Sequence, residues 1–236
     1  MRRIFLDIET LPPDTETSRA SSSLDTCNDQ EFRDLALKAE KGRLLTIGVI
    51  IEENNKVVHQ GLLGREKATG VFHLNEAKTL KAFWNLIGRV NPYQDVFIGH
   101  NILDFDLAFL IKRSIINRIQ PPPISFRRYQ QKPIFDTMWE WSLWRYRISL
   151  ADVAEAIGIS SPKDDGIDGS RIYDCFRAGK HRDIAMYCMR DVECARAIYY
   201  CINFLEAPSM ETYAVKQASV AYPATVKEFA AVSGVI

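Results

Sequence analysis

The stretch Leu44-Leu45-Thr46-Ile47-Gly48-Val49-Ile50-Ile51 is an almost continuous apolar run. Strand side chains alternate between two faces, so a run that is apolar on both must be covered on both, as in a sheet packed between helical layers. Polar Glu52-Glu53-Asn54-Asn55-Lys56 then makes a turn, and Val57 to Leu63 returns as the second arm of a hairpin. At the N-terminus Ile4, Leu6 and Ile8 point to one face of a further strand and Phe5, Asp7 and Glu9 to the other, until Leu11-Pro12-Pro13 ends it.

The rest of the chain alternates helices with short strands. Residues 14–40 read as a surface excursion, rich in Ser, Thr and Asp at first and closing with a short helix that carries Phe32, Leu35 and Ala39. Leu80, Phe83, Trp84 and Ile87 recur at helical spacing between Asn75 and Val90. Val96 to His100 is a short buried strand, and a helix with Leu107, Leu110 and Ile111 starts at about Phe105. Three consecutive prolines force residues 120–133 to be extended or looped, because Pro lacks the donor that helices need. Ile134-Phe135-Asp136 is the last strand, and Ser149-x-x-Asp152 opens a helix that Gly158 ends. After the polar loop 160–169 come a short helix near Ile172 to Phe176 and a long one from about Arg182 to Phe204. This order predicts an α/β fold: one three-layer domain with a mixed central sheet, an antiparallel hairpin plus parallel strands, flanked by helices.

Charge and cysteine content narrow the function classes. Thirty basic residues balance thirty acidic ones, so no global cationic field holds long polyanions, and any nucleic-acid contact must be local. No run approaches the roughly 18 apolar residues that span a bilayer. A cytoplasmic protein with no membrane association is expected. The five cysteines, Cys27, Cys175, Cys188, Cys194 and Cys201, lack any Cys-x-x-Cys spacing, which favours thiols over disulfides or a zinc site.

The chemistry is concentrated in acidic residues. Asp7 and Glu9 emerge on one strand face, where like charges repel unless they are solvated or neutralised by a hard cation such as Mg²⁺ or Mn²⁺. Asp104 and Asp106 lie at a strand-to-helix junction, where ligands bind α/β sheets. On the long helix Tyr187 and Asp191 are four residues apart and share a face, and a phenol there is apt for orienting a water that cations activate.

At these residues the chain resembles the DEDD family of 3′ to 5′ exonucleases on the ribonuclease-H-like fold. Asp7-Ile8-Glu9, Asn101 through Phe105-Asp106, and Tyr187 through Asp191 follow the order of its three signature segments. The tyrosine marks the DEDDy subtype; in the histidine subtype the residue stands five before the aspartate, and position 186 here is Met. Asp-Ile-Glu-Thr followed by Leu-Pro, and Gly99-His100-Asn101, are similar to the predicted prokaryotic exonucleases that resemble the proofreading domain of family-B DNA polymerases. The resemblance covers roughly residues 1–205, leaving 206–236 as a tail or appended segment. It implies two-metal hydrolysis with Mg²⁺ or Mn²⁺. Metal ligation falls to Asp7, Glu9, Asp106 and Asp191, and orientation of the attacking water to Tyr187. Contacts to the terminal nucleotide fall to Thr10, Leu11, Asn101 and Phe105. The implied substrate is a DNA 3′ end, single-stranded, and proofreading would need a separate polymerase or repair partner.

Each of these residues also has a plainer reading. Asp104 and Asp183 suit helix N-termini, and His100 suits local hydrogen bonding. Trp139, Trp141 and Trp144 have the spacing of core residues, although tryptophans also stack on bases. Arg127, Arg128 and Lys132 form a solvated loop by default, yet could reach a strand's phosphates. Cys188, Cys194 and Cys201 pack as small apolar residues. Two other functions remain open at this point: an exoribonuclease, since nothing identified reads a 2′ hydroxyl, and a catalytically idle nucleic-acid-binding module.

Overall fold

A computed structural model describes residues 1–14, 29–159 and 169–209. Most of the early excursion with Cys27, nearly all of the polar loop 160–169 and most of the tail lie outside the described residues. The strands are β1 (Arg2–Leu11), β2 (Arg43–Glu53), β3 (Lys56–Leu63), β4 (Asp95–Gly99) and β5 (Ile134–Asp136). Among the described residues the α-helices are α1 (Asp29–Asp34), α2 (Glu76–Ile87), α3 (Asp106–Ile116), α4 (Thr137–Trp141), α5 (Leu150–Ala156), α6 (Ile172–Arg177) and α7 (His181–Ile202).

The sheet runs β3-β2-β1-β4-β5, with β3, β2 and β1 antiparallel and β1, β4 and β5 parallel. The expected hairpin closes through Asn54 and Asn55, both at positive φ, between paired Glu53 and Lys56. The alternation in β1 divides the core as its sequence requires. Ile4, Leu6 and Ile8 join Leu80, Phe83, Leu107 and Leu110 of α2 and α3 on one face. Phe5 joins Ile50, Ile98, Val192 and Tyr199 under α7 on the other. The apolar run of β2 is buried throughout because both layers cover it.

Two devices set the height and slant of α7. Gly48 sits opposite Asp7 in the β1–β2 ladder, and a Cβ there would stand 2.9 Å from both Cys188 Sγ and Val192 Cγ2. The missing side chain is what lets the helix lie this close to the strand carrying the acids. At the other end, the fully buried Glu52 accepts from Arg196 Nε at 2.6 Å and from the Tyr200 hydroxyl, while Arg196 Nη2 donates to the Pro208 carbonyl at 2.7 Å. A buried carboxylate is tolerable here because both oxygens are satisfied and a guanidinium neutralises it.

Gly48→Ala should therefore lower stability by about 1–3 kcal/mol in urea denaturation, since β-branched Val192 cannot swing aside within its helix. Unchanged stability would show that α7 does not depend on this close approach.

Candidate active site

Beyond the last β4 pair, Phe5 with Ile98, strand β1 loses its neighbour on that side. The Asp106 carboxylate takes the vacant place: its Oδ1 accepts from the Ile8 amide at 3.0 Å. That amide lies between Asp7 and Glu9, so one hydrogen bond ties the first residue of α3 to the two strand acids. Between Glu9 and Thr10 the pairing with β2 slips by a residue, a bulge of the kind that re-aims side chains near functional sites. On α7, Tyr187 and Asp191 come to the same place, and the Tyr187 hydroxyl hydrogen-bonds Asp191.

The structure thus gathers Asp7, Glu9, Asp106, Asp191 and Tyr187 from three elements. Asp7, Glu9, Asp191 and Tyr187 line a cavity of about 310 Å³, with Asp106 buried behind them. Burial and mutual repulsion push the acids up. Asp7 and Glu9 lie well above the carboxylate range, each through burial first and then through Asp191 and Asp106. Asp106 is pushed up to about 7, chiefly by burial, even though the Ile8 amide pulls the other way. Glu9 is 6 % exposed, and its Oε1 has no hydrogen-bond partner among the described residues. Tyr187 is raised too, by burial and then by Asp191, so it stays a phenol and a donor. The Cys188 thiol lies beside these acids, with Sγ 3.7 Å from the Asp7 carbonyl oxygen and within 4.8 Å of the Asp7 and Glu9 carboxylates. Burial keeps it protonated.

Of the residues expected at the terminal nucleotide, Thr10 and Phe105 line the cavity. Leu11 does not: it is 0 % exposed and packs with Leu45, Phe72 and Ile172 beneath the cavity floor. Asn101 is turned away, its carboxamide oxygen accepting from Arg147 at 3.4 Å. Asp104 faces Arg128 and Arg147 rather than the acid cluster. His100 is held locally by Thr137 and the Ile148 carbonyl. Trp139 and Trp144 lean on the core as their spacing implies, whereas Cys201 is exposed, contrary to the expectation of packing.

Two contributions escaped the sequence reading. Arg33 of α1, with Leu37 just beyond it, roofs the cavity, so the excursion supplies part of its wall. Arg33 bridges Asp29 at 2.7 Å and both oxygens of Asp174 at 2.9 Å, which holds the roof to α6. Asp136 accepts from the Asn101, Leu103 and Met138 amides at 2.9, 3.0 and 3.1 Å, and it fixes the turn that leads to Phe105. Its place just before a short helix was the available signal, since aspartate is a favoured N-cap.

A mixed sheet covered by helices on both faces, with carboxylates drawn from its central strand and two helices, defines a ribonuclease-H-like fold of the exonuclease-domain kind. The chain belongs to the family described as "Predicted 3'-5' exonuclease related to the exonuclease domain of PolB", which matches residues 36–222. Among solved structures it is similar to the family B DNA polymerase from the hyperthermophilic archaeon Pyrobaculum calidifontis, with TM-score 0.58 and 14 % identity over 86 % of this chain. The chain spans 24 % of that polymerase. No curated protein sequence matches it. Among the described residues no helix is long and apolar enough to cross a membrane.

The crowded acids carry a stability consequence. Because Asp106 is raised from the usual value of about 4 to about 7, the folded chain binds more protons than the unfolded one between those values. Stability contributed by the neutral form is complete below the lower value and is lost as pH rises through the upper one. In chelator, scanning calorimetry should show Tm falling from pH 6 to pH 8. Asp191→Asn should raise Tm at pH 8 and flatten the slope, because one repelling charge is gone. A wild-type Tm that climbs over this range would contradict the assigned repulsion.

Proposed function

We propose that the protein is a metal-dependent 3′ to 5′ exonuclease that hydrolyses phosphodiester bonds from the 3′ end of single-stranded DNA by two-metal chemistry. The observation that carries this reading is the buried, unsatisfied Glu9 Oε1, which with Asp7 and Asp191 lines a cavity that has Asp106 buried behind it. Hard oxygen ligands of this kind suit Mg²⁺ or Mn²⁺, and a buried acceptor without a donor carries a cost that a cation removes. The residues present fit such ions, with Asp7, Glu9, Asp106 and Asp191 as the holders. When bound, the cations supply a water of lowered pKa and offset charge on the phosphate and the departing oxygen.

The remaining tasks fall to the chain's own side chains. Tyr187 stays protonated, so its hydroxyl orients the attacking water by hydrogen bonding instead of removing its proton. The fixed bond between Asp106 and the Ile8 amide keeps the acids in register while substrate enters. Phe105 offers a ring face to the terminal base, and Thr10 offers a hydroxyl beside it. A cavity of about 310 Å³, roofed by Arg33 and Leu37, is near the lower end of ligand-sized pockets. Its size suits a chain end taken in one residue at a time.

Matched 5′-labelled DNA and RNA oligonucleotides, digested with Mg²⁺, Mn²⁺ or chelator and sized on gels, test the assignment. Stepwise shortening of the DNA from its 3′ end with either ion, and none in chelator, is expected. Asp191→Asn should abolish cleavage. Tyr187→Phe should lower kcat by about 10²-fold while binding persists. A fully active Tyr187→Phe would remove the water-orienting role and leave the carboxylates; preference for RNA would replace the substrate; inactivity on every strand would overturn the function.

A further inference from the structure

Outside the cavity, on the far side of the turn that carries Phe105, Asp104 collects two arginines and a tryptophan. Its Oδ1 accepts from Arg128 Nη2, and its Oδ2 accepts from Arg147 Nη2 at 3.2 Å and from Trp139 Nε1 at 3.3 Å. The two guanidinium carbons lie 5.9 and 5.8 Å from the Trp139 ring centroid. Trp144 is parallel to Trp139 within 5° at 5.7 Å, and Tyr129 packs on Trp144 at 4.8 Å. The outermost ring, Tyr129, is 74 % exposed, and the Arg128 and Arg147 side chains are 54 % and 63 % exposed. Two guanidiniums share one carboxylate, so the cluster is net cationic, and the neighbouring Arg127 and Arg145 are exposed as well.

We infer that this ring-and-arginine ledge is the landing surface for the unpaired strand that lies 5′ of the nucleotide in the cavity. The inference rests on the exonuclease reading and adds to it a second, separate contact area. The exposed Tyr129 ring, backed by Trp144 and Trp139 and set beside guanidiniums, matches the two recurring features of a single strand, unpaired base faces and phosphates. A duplex keeps its base faces stacked away and would meet only the arginines. A protein partner would not need rings and cations interleaved in this way. Asp104 holds both guanidiniums side by side before any phosphate arrives, which reduces the ordering cost of binding. The ledge adjoins the site directly: Asp104 precedes Phe105 in the chain, and Arg147 also reaches the Asn101 carboxamide. A strand leaving the cavity past Phe105 therefore meets Asp104 and its arginines next.

The test uses DNA strands of about three and about twelve nucleotides, the shorter confined to the cavity and the longer able to cover the ledge. Steady-state cleavage with Mn²⁺ is compared for the full chain and its Tyr129→Ala/Arg128→Ala variant, both changes being of exposed side chains. The variant should raise KM at least about fivefold on the long strand with kcat unchanged, and leave both constants unchanged on the short one. Tyr129→Phe, which keeps the ring, should match wild type on both lengths. Wild-type constants for the double variant on the long strand would overturn the ledge and leave the exonuclease intact. An equal loss on both lengths would overturn it too, since the effect would then pass through the turn at Phe105. A wild-type chain that cleaves neither length would overturn the exonuclease reading and the ledge together.

Discussion

Four carboxylates held within one small volume repel each other, and much of the surrounding structure serves to keep them there. Attraction among the acids contributes nothing, so their positions must be imposed from outside. The strand acids are held by the ladder to β2, Asp106 by the Ile8 amide, and Asp191 by a helix that Gly48 allows to lie close. None of these supports uses a cationic side chain, and Arg33 in the cavity roof is taken up by Asp29 and Asp174. A lysine or arginine at the cluster would relieve the repulsion and would also compete with any cation drawn in.

The long helix α7 is accordingly treated in opposite ways along its length. Toward its C-terminal end a charge is buried in full balance, with Glu52, Arg196, Tyr200 and the Pro208 carbonyl completing each other's bonds. Toward the cavity, Asp191 and Tyr187 face acids that are crowded and partly unsatisfied. A helix anchored at a balanced end tolerates strain at the other, and functional sites are where such strain is kept.

What could be read in the residues follows the range of the forces involved. The β1 alternation was legible because period-two burial is local, and the i, i+4 pairing of Tyr187 with Asp191 was legible because helix geometry is local. The convergence of Asp7, Asp106 and Asp191 was expected only through resemblance, since nothing in their spacing states that three elements meet. That the Leu11 side chain packs inward was not legible, because its neighbours Phe72 and Ile172 are distant in the chain. That the Asn101 carboxamide meets Arg147 was not legible either, because the two lie 46 residues apart. The roof formed by α1 and the hub at Asp136 were missed for the same reason: their roles depend on contacts with distant residues, and their local signals are those of an ordinary surface helix and an ordinary cap.

Asp136 carries one more implication. Its single carboxylate bonds the turn at Asn101 and Leu103 and also the first turn of the helix that holds Trp139. Phe105 at the cavity and Trp139 outside it therefore hang from one bracket. The wall of the cavity and the surface beside it are thus coupled through one side chain, and a substitution at Asp136 would disturb both at once.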